Sequence, residues 1–237
     1  MMEVGNAIVA NRGRWSFGGD VAKSFVPHIK RSVPYYEEGH DLICDLSAFF
    51  LRSDSICYEI GTSTGELLDK LAKRHAGLDN LKLIGLDNEQ KMVDEAQQRF
   101  AEDQRIEVLC EDAVFHEYQP ADLIVAYYTV QFIHPKFRQE LINRIYERLN
   151  WGGAFILFEK VRGPDARFQD IQSLLYTKFK RDNDFSDTEI LNKSDSLKGV
   201  LEPFSTAGNI GLLERAGFSD IMPVFRWLCF EGVLCIK

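Results

Sequence analysis

A short glycine-containing segment constrains the fold of this chain more than any other part of its sequence. Residues 58–65 read YEIGTSTG, follow an apolar pair, and lead into a stretch whose apolar residues recur at helical spacing. A strand, a tight turn and a helix start in this order form a nucleotide-sized pocket in α/β proteins. Gly61 and Gly65 allow a ligand to approach the backbone closely, and the helix start offers free N–H donors.

The acid at Glu59, two residues before the first glycine, restricts the ligand further. A carboxylate at this place repels a pyrophosphate but suits a ligand that carries an amino group. S-adenosyl-L-methionine (SAM) is such a ligand. We therefore predict that the turn, with Gly61, Ser63 and Gly65, contacts SAM.

Strand and helix patterns alternate along the rest of the chain and predict the fold class. Strand-like runs cover residues 56–60, 81–87, 105–110, 121–127 and 154–159, and helix patterns cover 65–76, 89–101 and the stretch from Pro135 to Gly152-Gly153. Two closing strand-like runs, 221–225 and 230–236, follow a helix pattern at 210–216 and have no helix between them. This layout predicts an α/β fold of the class I SAM-dependent methyltransferase (Rossmann-like) type, with a mostly parallel seven-stranded sheet and an antiparallel terminal hairpin.

Two further segments lie outside this alternation. Residues 1–54 are predicted to form an N-terminal arm and two helices, at about 19–31 and 39–52. Residues 164–203 are predicted to form a helical insertion that acts as a lid. We expect the whole chain, residues 1–237, to be a single SAM-binding domain.

Charge and cysteine content argue against several classes of function. A net charge of −8 disfavours a surface that follows a nucleic-acid backbone, so direct nucleic-acid binding is not expected. The five cysteines are scattered and mostly lie in apolar runs, which predicts buried, reduced thiols in a cytoplasmic protein. The spacing of potential ligands predicts no metal site, and no apolar run is long enough to span a membrane.

Acidic residues at the ends of the predicted strands complete the nucleotide site. Asp87 ends the second strand and is placed to accept both ribose hydroxyls, with Asn88 beside it, although a helix cap is an equally ordinary use of this side chain. Asp112 follows the third strand and is expected to accept from the adenine amino group, with Ala113 at the ring. Met92 is predicted to line the adenine face, and a core position on its helical stripe is the alternative.

The fourth strand ends in two adjacent tyrosines, where the transferable group of SAM is expected. The phenols of Tyr127 and Tyr128 are candidates to orient a substrate or contact the sulfonium methyl, and packing under a loop is the alternative for at least one of them. Glu159 and Lys160 end the fifth strand and are interpreted as an ion pair at the rim. No residue spacing supports a covalent mechanism.

With these motifs the chain resembles the bacterial carboxy-S-adenosyl-L-methionine (carboxy-SAM) synthases, a family with the class I methyltransferase fold that acts in tRNA wobble-uridine modification. The likeness extends from about Trp15 to Ile236. Its most specific matches lie outside the nucleotide turn: Trp15-Ser16-Phe17, Val21-Ala22, residues 31–36 (RSVPYY), residues 129–132 (TVQF), Ile145-Tyr146, Leu149-Asn150, Glu159-Lys160, Phe179-Lys180-Arg181 and Ala216-Gly217-Phe218.

The resemblance implies an activity and a set of cofactor contacts. Family members convert SAM and prephenate to carboxy-SAM and phenylpyruvate, and they are typically homodimers. Their cofactor contacts correspond here to Tyr36, Glu59, Gly61, Asp87, Asn88, Asp112 and Ala113.

Two departures from the family pattern fall on the side of the transferred group. The family's arginine that neutralises the new carboxylate aligns with Ser194, next to Lys193, and an asparagine at the end of the fourth strand is replaced by Tyr127. A serine cannot form the bidentate contact that an arginine makes with a carboxylate. These changes predict a SAM-dependent methyltransferase with an unidentified small-molecule acceptor. The residues predicted to act on the acceptor side are Arg31, Tyr36, Tyr127 and Lys193.

Other functions remain open at this point. A carboxy-SAM synthase that uses Lys193 or another cation in place of the arginine is the main alternative. A catalytically silent subunit that only binds SAM or a partner protein is another. A NAD-dependent dehydrogenase is disfavoured by Glu59 and by the terminal hairpin.

Overall fold

The structure of the protein is a computed structural model that describes residues 2–4, 9–10, 13, 15 and 21–237. Near the N-terminus, strands β1 (Met2–Glu3) and β2 (Val9–Ala10) pair antiparallel, within the segment predicted to be an N-terminal arm. Ser16 and Phe17, which contribute to the family resemblance, lie outside the described residues.

A seven-stranded sheet forms the centre of the molecule and confirms the predicted fold class. Its strands are β3 (Ile56–Ile60), β4 (Lys82–Asp87), β5 (Ile106–Cys110), β6 (Ala121–Tyr127), β7 (Leu149–Lys160), β8 (Asp220–Trp227) and β9 (Phe230–Ile236). The order is β5-β4-β3-β6-β7-β9-β8, with β9 antiparallel to both neighbours and the other pairs parallel. The order reverses between β3 and β6, which opens a crevice at the carboxyl ends of these strands.

Helices cover both faces of the sheet. They are α1 (Val21–Ser32), α2 (Tyr36–Ser47), α3 (Glu66–Arg74), α4 (Gln90–Arg99), α5 (Pro135–Arg148), α6 (Ala166–Asp182), α7 (Asp187–Ser196) and α8 (Thr206–Ala216), with a 3₁₀ turn at Val130–Phe132. Alternation along β6 separates two cores: Leu123 and Val125 pack on one side with apolar residues of α2 and α3, and Ile124 and Ala126 pack on the other with those of α5 and α8. Helices α6 and α7 occupy the predicted insertion.

The sequence predicted that the glycine pair Gly152-Gly153 ends a helix. In the structure the pair lies inside β7 instead. Helix α5 stops at Arg148, and the strand begins at once with Leu149. Gly152 has a φ of +78°, and the register between β6 and β7 shifts at this point. A Cβ on Gly153 would lie about 3 Å from the carbonyl oxygens of Asn150 and Asp122. The pair therefore forms a bulge within the strand, where close backbone approach requires glycine.

The described residues include no helix that is long and apolar enough to cross a membrane. Among the cysteines, Cys44, Cys57, Cys229 and Cys235 are buried and Cys110 is exposed, and all are free thiols.

A fully buried arginine connects the turn after β6 to the end of the insertion. Arg138, which is 1% exposed, donates hydrogen bonds to the carbonyl oxygens of Ile133 (2.8 Å), Gln131 (3.0 Å) and Glu202 (2.7 Å). Its guanidinium also lies 4.5 Å from the centre of the Phe204 ring. Because the turn after β6 borders the crevice, this single side chain fixes one wall of the crevice to residues that follow α7.

We predict that Arg138→Met lowers the free energy of unfolding by about 3 kcal/mol or more, because it leaves buried carbonyl groups without their donors. Urea unfolding followed by circular dichroism measures the change. The control is Glu140→Gln on the exposed face of the same helix, which should stay within about 0.5 kcal/mol of the original chain. Equal stability of both variants would contradict the structural role of Arg138.

Candidate active site

A cavity of about 550 Å³ lies at the carboxyl ends of β3, β4, β6 and β7. We call one side the nucleotide half; it is formed by residues 59–63, 87–89, Met92 and 111–114. The other side, the lysine half, is formed by Lys160, Tyr176, Lys180 and Lys193. Of the predicted site residues, most line this cavity: Tyr36, Glu59, Gly61, Ser63, Asp87, Asn88, Met92, Asp112, Ala113, Tyr127 and Lys193.

The turn after β3 has the geometry that its glycines predict. Gly61 has a φ of +75°, and a Cβ there would collide with the side chain of Thr129, so glycine allows the turn to pack against the end of β6. Ser63 also has a positive φ, of 52°, and its N–H donates to Asp87. Gly65 differs from the prediction: it caps α3 with a φ of +84°, faces Phe100 and does not line the cavity. Its role is to shape the turn.

Glu59 is a buried carboxylate that lines the nucleotide half. The hydroxyl of Thr62 donates to its Oε2 at 2.8 Å. Burial raises the pKa of Glu59 to about 8, since the charged form loses its hydration. The site therefore favours a ligand that brings a positive charge to this carboxylate.

Asp87 joins the turns after β3 and β4. Its Oδ2 accepts from the N–H of Ser63 at 2.9 Å, and its Oδ1 accepts from the N–H of Glu89, just before α4, at 3.0 Å. Burial raises its pKa, and these two hydrogen bonds oppose the increase. Asp87 does not cap α4, because the N-cap is Glu89 and has no side-chain cap hydrogen bond. The Asp87 side chain instead holds the residue before the helix, and it lines the cavity.

The remaining nucleotide residues surround the same space. Oδ1 of Asp112 accepts from the N–H of Val114 at 2.9 Å, while Ala113 is buried beside it. Met92 belongs to a small apolar cluster with Trp15 and Phe25, which confirms the core position, and it also lines the cavity, where its contact with an adenine stays a prediction. The hydroxyl of Ser63 donates to its sulfur at 3.5 Å.

Tyr36 and Tyr127 form an aromatic wall. The Tyr127 hydroxyl donates to the backbone oxygen of Tyr36 at 2.8 Å, and the two ring centres lie 5.3 Å apart. A Cβ on Gly39 of α2 would collide with this hydroxyl, so glycine permits the close packing. Burial raises the pKa of both phenols above their usual value. The Tyr127 hydroxyl is therefore used within the fold, and the geometry does not support the prediction that it orients an acceptor.

Arg31 lies outside the cavity lining. Its Nε donates to the backbone oxygen of Asn183 at 2.9 Å, and its Nη2 donates to that of Asp184 at 2.7 Å. The guanidinium also stacks over Phe185, 4.5 Å from the ring centre. Arg31 therefore holds the turn between α6 and α7, and this placement does not support its predicted contact with an acceptor.

The lysine half brings together Lys160, Lys180 and Lys193, which no sequence motif predicted to lie close to one another. The Nζ atoms of Lys160 and Lys180 each lie 4.4 Å from the centre of the Tyr176 ring, and the Lys193 ammonium lies against the indole of Trp15. No carboxylate of the described residues forms an ion pair with any of the three. The three amino groups are therefore desolvated without a carboxylate partner in the part of the chain that the structure describes.

Burial lowers the pKa of each lysine in this group. The pKa of Lys180 falls to about 7, through desolvation and then repulsion from Lys160. The pKa of Lys193 falls well below its usual value through desolvation and then repulsion from Lys180. The pKa of Lys160 is also lowered by burial. An anionic ligand would reverse these shifts, because it stabilises the charged ammonium groups.

The predicted rim ion pair between Glu159 and Lys160 is absent from the described residues. Successive side chains of a strand point to opposite faces, so Lys160 enters the cavity while Glu159 is buried on the side of Arg138. Burial raises the pKa of Glu159 to about 8.

The sequence motif that contains Lys180 contributed to the family resemblance. The position of the Lys180 side chain in the cavity, however, depends on how α6 packs.

Ser194, which aligns with the family's arginine, is exposed on α7 and does not line the cavity. Lys193, one residue earlier, turns inward. Lys193, the cationic residue next to the position of the family's arginine, therefore lines the cavity.

Relatives with assigned names match nearly the whole chain. The carboxy-SAM synthase of Staphylococcus epidermidis is 35% identical over 231 residues, which cover 96% of this chain and 99% of the relative. That of Nautilia profundicola is 35% identical over 225 residues, which cover 94% and 95%. The chain belongs to the carboxy-SAM synthase family. The family model of the methyltransferase domain matches residues 58–153.

Solved structures confirm the fold of this family member. A putative SAM-dependent methyltransferase from Methanococcus maripaludis superposes with a TM-score of 0.63 at 20% identity and covers 97% of each chain. Human N-acetylserotonin methyltransferase in complex with SAM gives a TM-score of 0.61 at 19% identity, over 92% of this chain and 56% of the human protein.

The protein is a SAM-dependent transferase, and its residues fit this cofactor. When bound, SAM supplies a methyl group activated by the sulfonium. The chain offers a buried carboxylate, Glu59, for an ammonium group and a second carboxylate, Asp87, at the neighbouring strand end for hydroxyl groups. No group of His, Cys, Asp and Glu among the described residues is arranged to hold a metal ion.

We predict that Asp87→Ala raises the Kd for SAM by about 100-fold or more, since hydrogen bonds to a charged acceptor contribute about 1.5–3 kcal/mol each. Isothermal titration calorimetry measures the affinity. Asp94→Ala on the exposed face of α4 is the control and should bind SAM like the original chain. Unchanged affinity of the Asp87 variant would refute the ribose assignment.

Proposed function

We propose that this chain is a carboxy-SAM synthase that converts SAM and prephenate to carboxy-SAM and phenylpyruvate. The observation that carries the proposal is the lysine half, where Lys160, Lys180 and Lys193 are desolvated without ion-pair partners among the described residues. Prephenate has two carboxylates. A site for it needs several cations next to the cofactor, and this is the arrangement in the cavity.

The desolvation of these three lysines supports a role in binding a ligand rather than a role in stabilising the fold. Buried cations are ordinarily paired, because an unpaired charge in a low-dielectric site is costly. Tyr176 provides only a ring face for Lys160 and Lys180, and its hydroxyl donates instead to the backbone oxygen of Ser32 at 2.8 Å. The co-substrate would bring the negative charge that the described residues do not place beside these lysines.

Lys193 is proposed to take the place of the family's arginine. It turns into the cavity, whereas Ser194 is exposed. A lysine neutralises a carboxylate as a point charge and cannot form the planar, two-bond contact of an arginine. Lys193, with Lys180 nearby, would neutralise the new carboxylate of carboxy-SAM, so the same reaction would proceed with a lysine in place of the arginine.

Methyl transfer to a small anionic acceptor is the second candidate, and the replacements at Ser194 and Tyr127 favour it. Tyr127 closes the cavity with an aromatic ring where the family has an asparagine, which changes the surroundings of the transferred group. A methyltransferase would use the lysine half to hold the acceptor, and SAM would lose its methyl group.

We propose a direct test by incubating the purified chain with SAM and prephenate and analysing the products by mass spectrometry. The synthase produces phenylpyruvate and a species heavier than SAM by one CO₂. Lys160→Met, which removes one cation, should lower kcat/KM for prephenate by at least about 10-fold, as expected for loss of a charge-assisted contact.

Two results would contradict the synthase. Formation of S-adenosylhomocysteine with a methylated acceptor would favour the second candidate. Recovery of SAM unchanged in the presence of prephenate, by a chain that binds SAM, would exclude the proposed reaction. Lys178→Met, on the exposed surface of the same helix as Lys180, is the matched control for loss of a lysine.

The pKa of Lys180 predicts a pH dependence. With a pKa of about 7 in the free protein, Lys180 is charged below this value and loses its proton above it. Since an anion binds the charged form, kcat/KM for prephenate should fall as the pH rises through about 7. Lys180→Arg keeps its charge and should abolish this decrease, whereas Lys178→Arg should leave the profile unchanged. A decrease of the same size in the Lys180→Arg variant would show that another group causes it.

The cellular setting is part of the proposal. We infer a cytoplasmic homodimer whose product supplies tRNA wobble-uridine modification, as the resemblance implies, without direct RNA contact by this acidic chain. Exposed apolar side chains on α6, namely Phe168, Ile171, Leu174 and Leu175, support the presence of a protein interface. Tyr176, Lys180 and Lys193 all come from the segment 164–203, which supports its role as a lid.

A further inference from the structure

Tyr128 is held in an unusual backbone conformation at the edge of the cavity. Its φ is +60°, in the left-handed region that non-glycine residues rarely adopt. Two hydrogen bonds hold it there: its N–H donates to the backbone oxygen of Phe158 at 2.8 Å, and its own oxygen accepts from Nε2 of Gln131 at 3.0 Å. Strain of this kind persists where the surrounding structure fixes it, and it concentrates at functional sites.

The hydroxyl of Tyr128 lacks a hydrogen-bond partner among the described residues. The side chain is 7% exposed and lines the cavity. Three other buried phenols are satisfied: Tyr58 accepts from the N–H of Gln119, Tyr118 donates to the backbone oxygen of Ala113 and Tyr127 donates to that of Tyr36. A buried polar group without a partner is costly unless a ligand completes it.

The position of Tyr128 connects the two halves of the cavity. Its ring centre is 5.7 Å from that of Phe230, which in turn lies 5.2 Å from that of Tyr176, the ring beneath Lys160 and Lys180. On its other side follows Thr129, which packs against the Gly61 turn. The Tyr128 hydroxyl would therefore face a molecule that is bound by Lys160 and Lys180 and extends toward the cofactor.

We propose that the Tyr128 hydroxyl donates a hydrogen bond to an oxygen of the small anionic co-substrate held by Lys160 and Lys180, and thereby selects and positions it. The assignment rests on the proposed function only in requiring an anionic co-substrate. Burial and the neighbouring Tyr127 and Glu159 raise the pKa of this phenol well above its usual value. The group therefore stays protonated and can donate throughout the working pH range.

Tyr128→Phe removes only the hydroxyl and tests the inference. We expect kcat/KM for prephenate to fall by about 10- to 100-fold, as for loss of a hydrogen bond to a charged group. The Kd for SAM should stay within about 2-fold. The melting temperature should stay equal or rise, because the variant loses a buried hydroxyl that has no partner in the fold.

The matched control is Tyr58→Phe, another buried phenol that lies outside the cavity lining. It loses a satisfied hydrogen bond to Gln119 and should lower the melting temperature while leaving kcat/KM unchanged. Opposite responses of the two variants separate a co-substrate contact from a structural one. An unchanged kcat/KM in Tyr128→Phe would overturn the inference.

Binding measurements separate this inference from the proposed reaction. Prephenate and phenylpyruvate are titrated into the chain saturated with S-adenosylhomocysteine, with and without Tyr128→Phe. If the original chain binds an anion in this titration but forms no carboxy-SAM when it is incubated with SAM and prephenate, and the variant binds the anion at least about 10-fold more weakly, the Tyr128 assignment stands and the synthase proposal fails. If neither anion binds, or if both chains bind equally well, the Tyr128 assignment is overturned.

Discussion

Buried ionisable groups without ion-pair partners among the described residues, at the two ends of one cavity, are the constraint on which the site depends. The nucleotide half contains the buried carboxylate Glu59, and the lysine half contains Lys160, Lys180 and Lys193. Neither end neutralises the other within the described residues, and desolvation shifts the pKa of Glu59 up to about 8 and that of Lys180 down to about 7. The fold tolerates this cost because the cores on both faces of the sheet stabilise the strands that carry these groups.

Much of the fold follows from local patterns in the sequence. The strand from Ile56 to Ile60, the glycine turn and the terminal hairpin each depend on residues close together in the chain, so periodicity and turn residues predict them. The helix assumed up to Gly152-Gly153 was wrong because a glycine pair marks both helix ends and strand bulges. Only the pairing of β6 with β7 shows that this glycine pair forms a strand bulge and not a helix end.

The site divides in the same way. The positions of Glu59 and Asp87 at strand ends follow from the order of elements, whereas the lysine half depends on the packing of α6 and α7 over the sheet. The sequence shows two adjacent tyrosines but not which hydroxyl finds a partner. Tyr127 reaches the backbone of α2 and Tyr128 does not, and this difference is set by the close approach of α2 at Gly39.

The opposite shifts of Glu59 and Lys180 have a joint consequence for ligand binding. At a pH between 7 and 8, Glu59 is largely protonated and Lys180 largely neutral in the free protein. An ammonium group of SAM at Glu59 favours its ionised form and releases a proton, while an anion at Lys180 favours the charged form and takes one up. Each ligand alone therefore changes the proton content of the protein, but the two together nearly cancel. The affinity for a cationic cofactor and an anionic co-substrate bound together should therefore depend less on pH near neutrality than the affinity for either ligand alone.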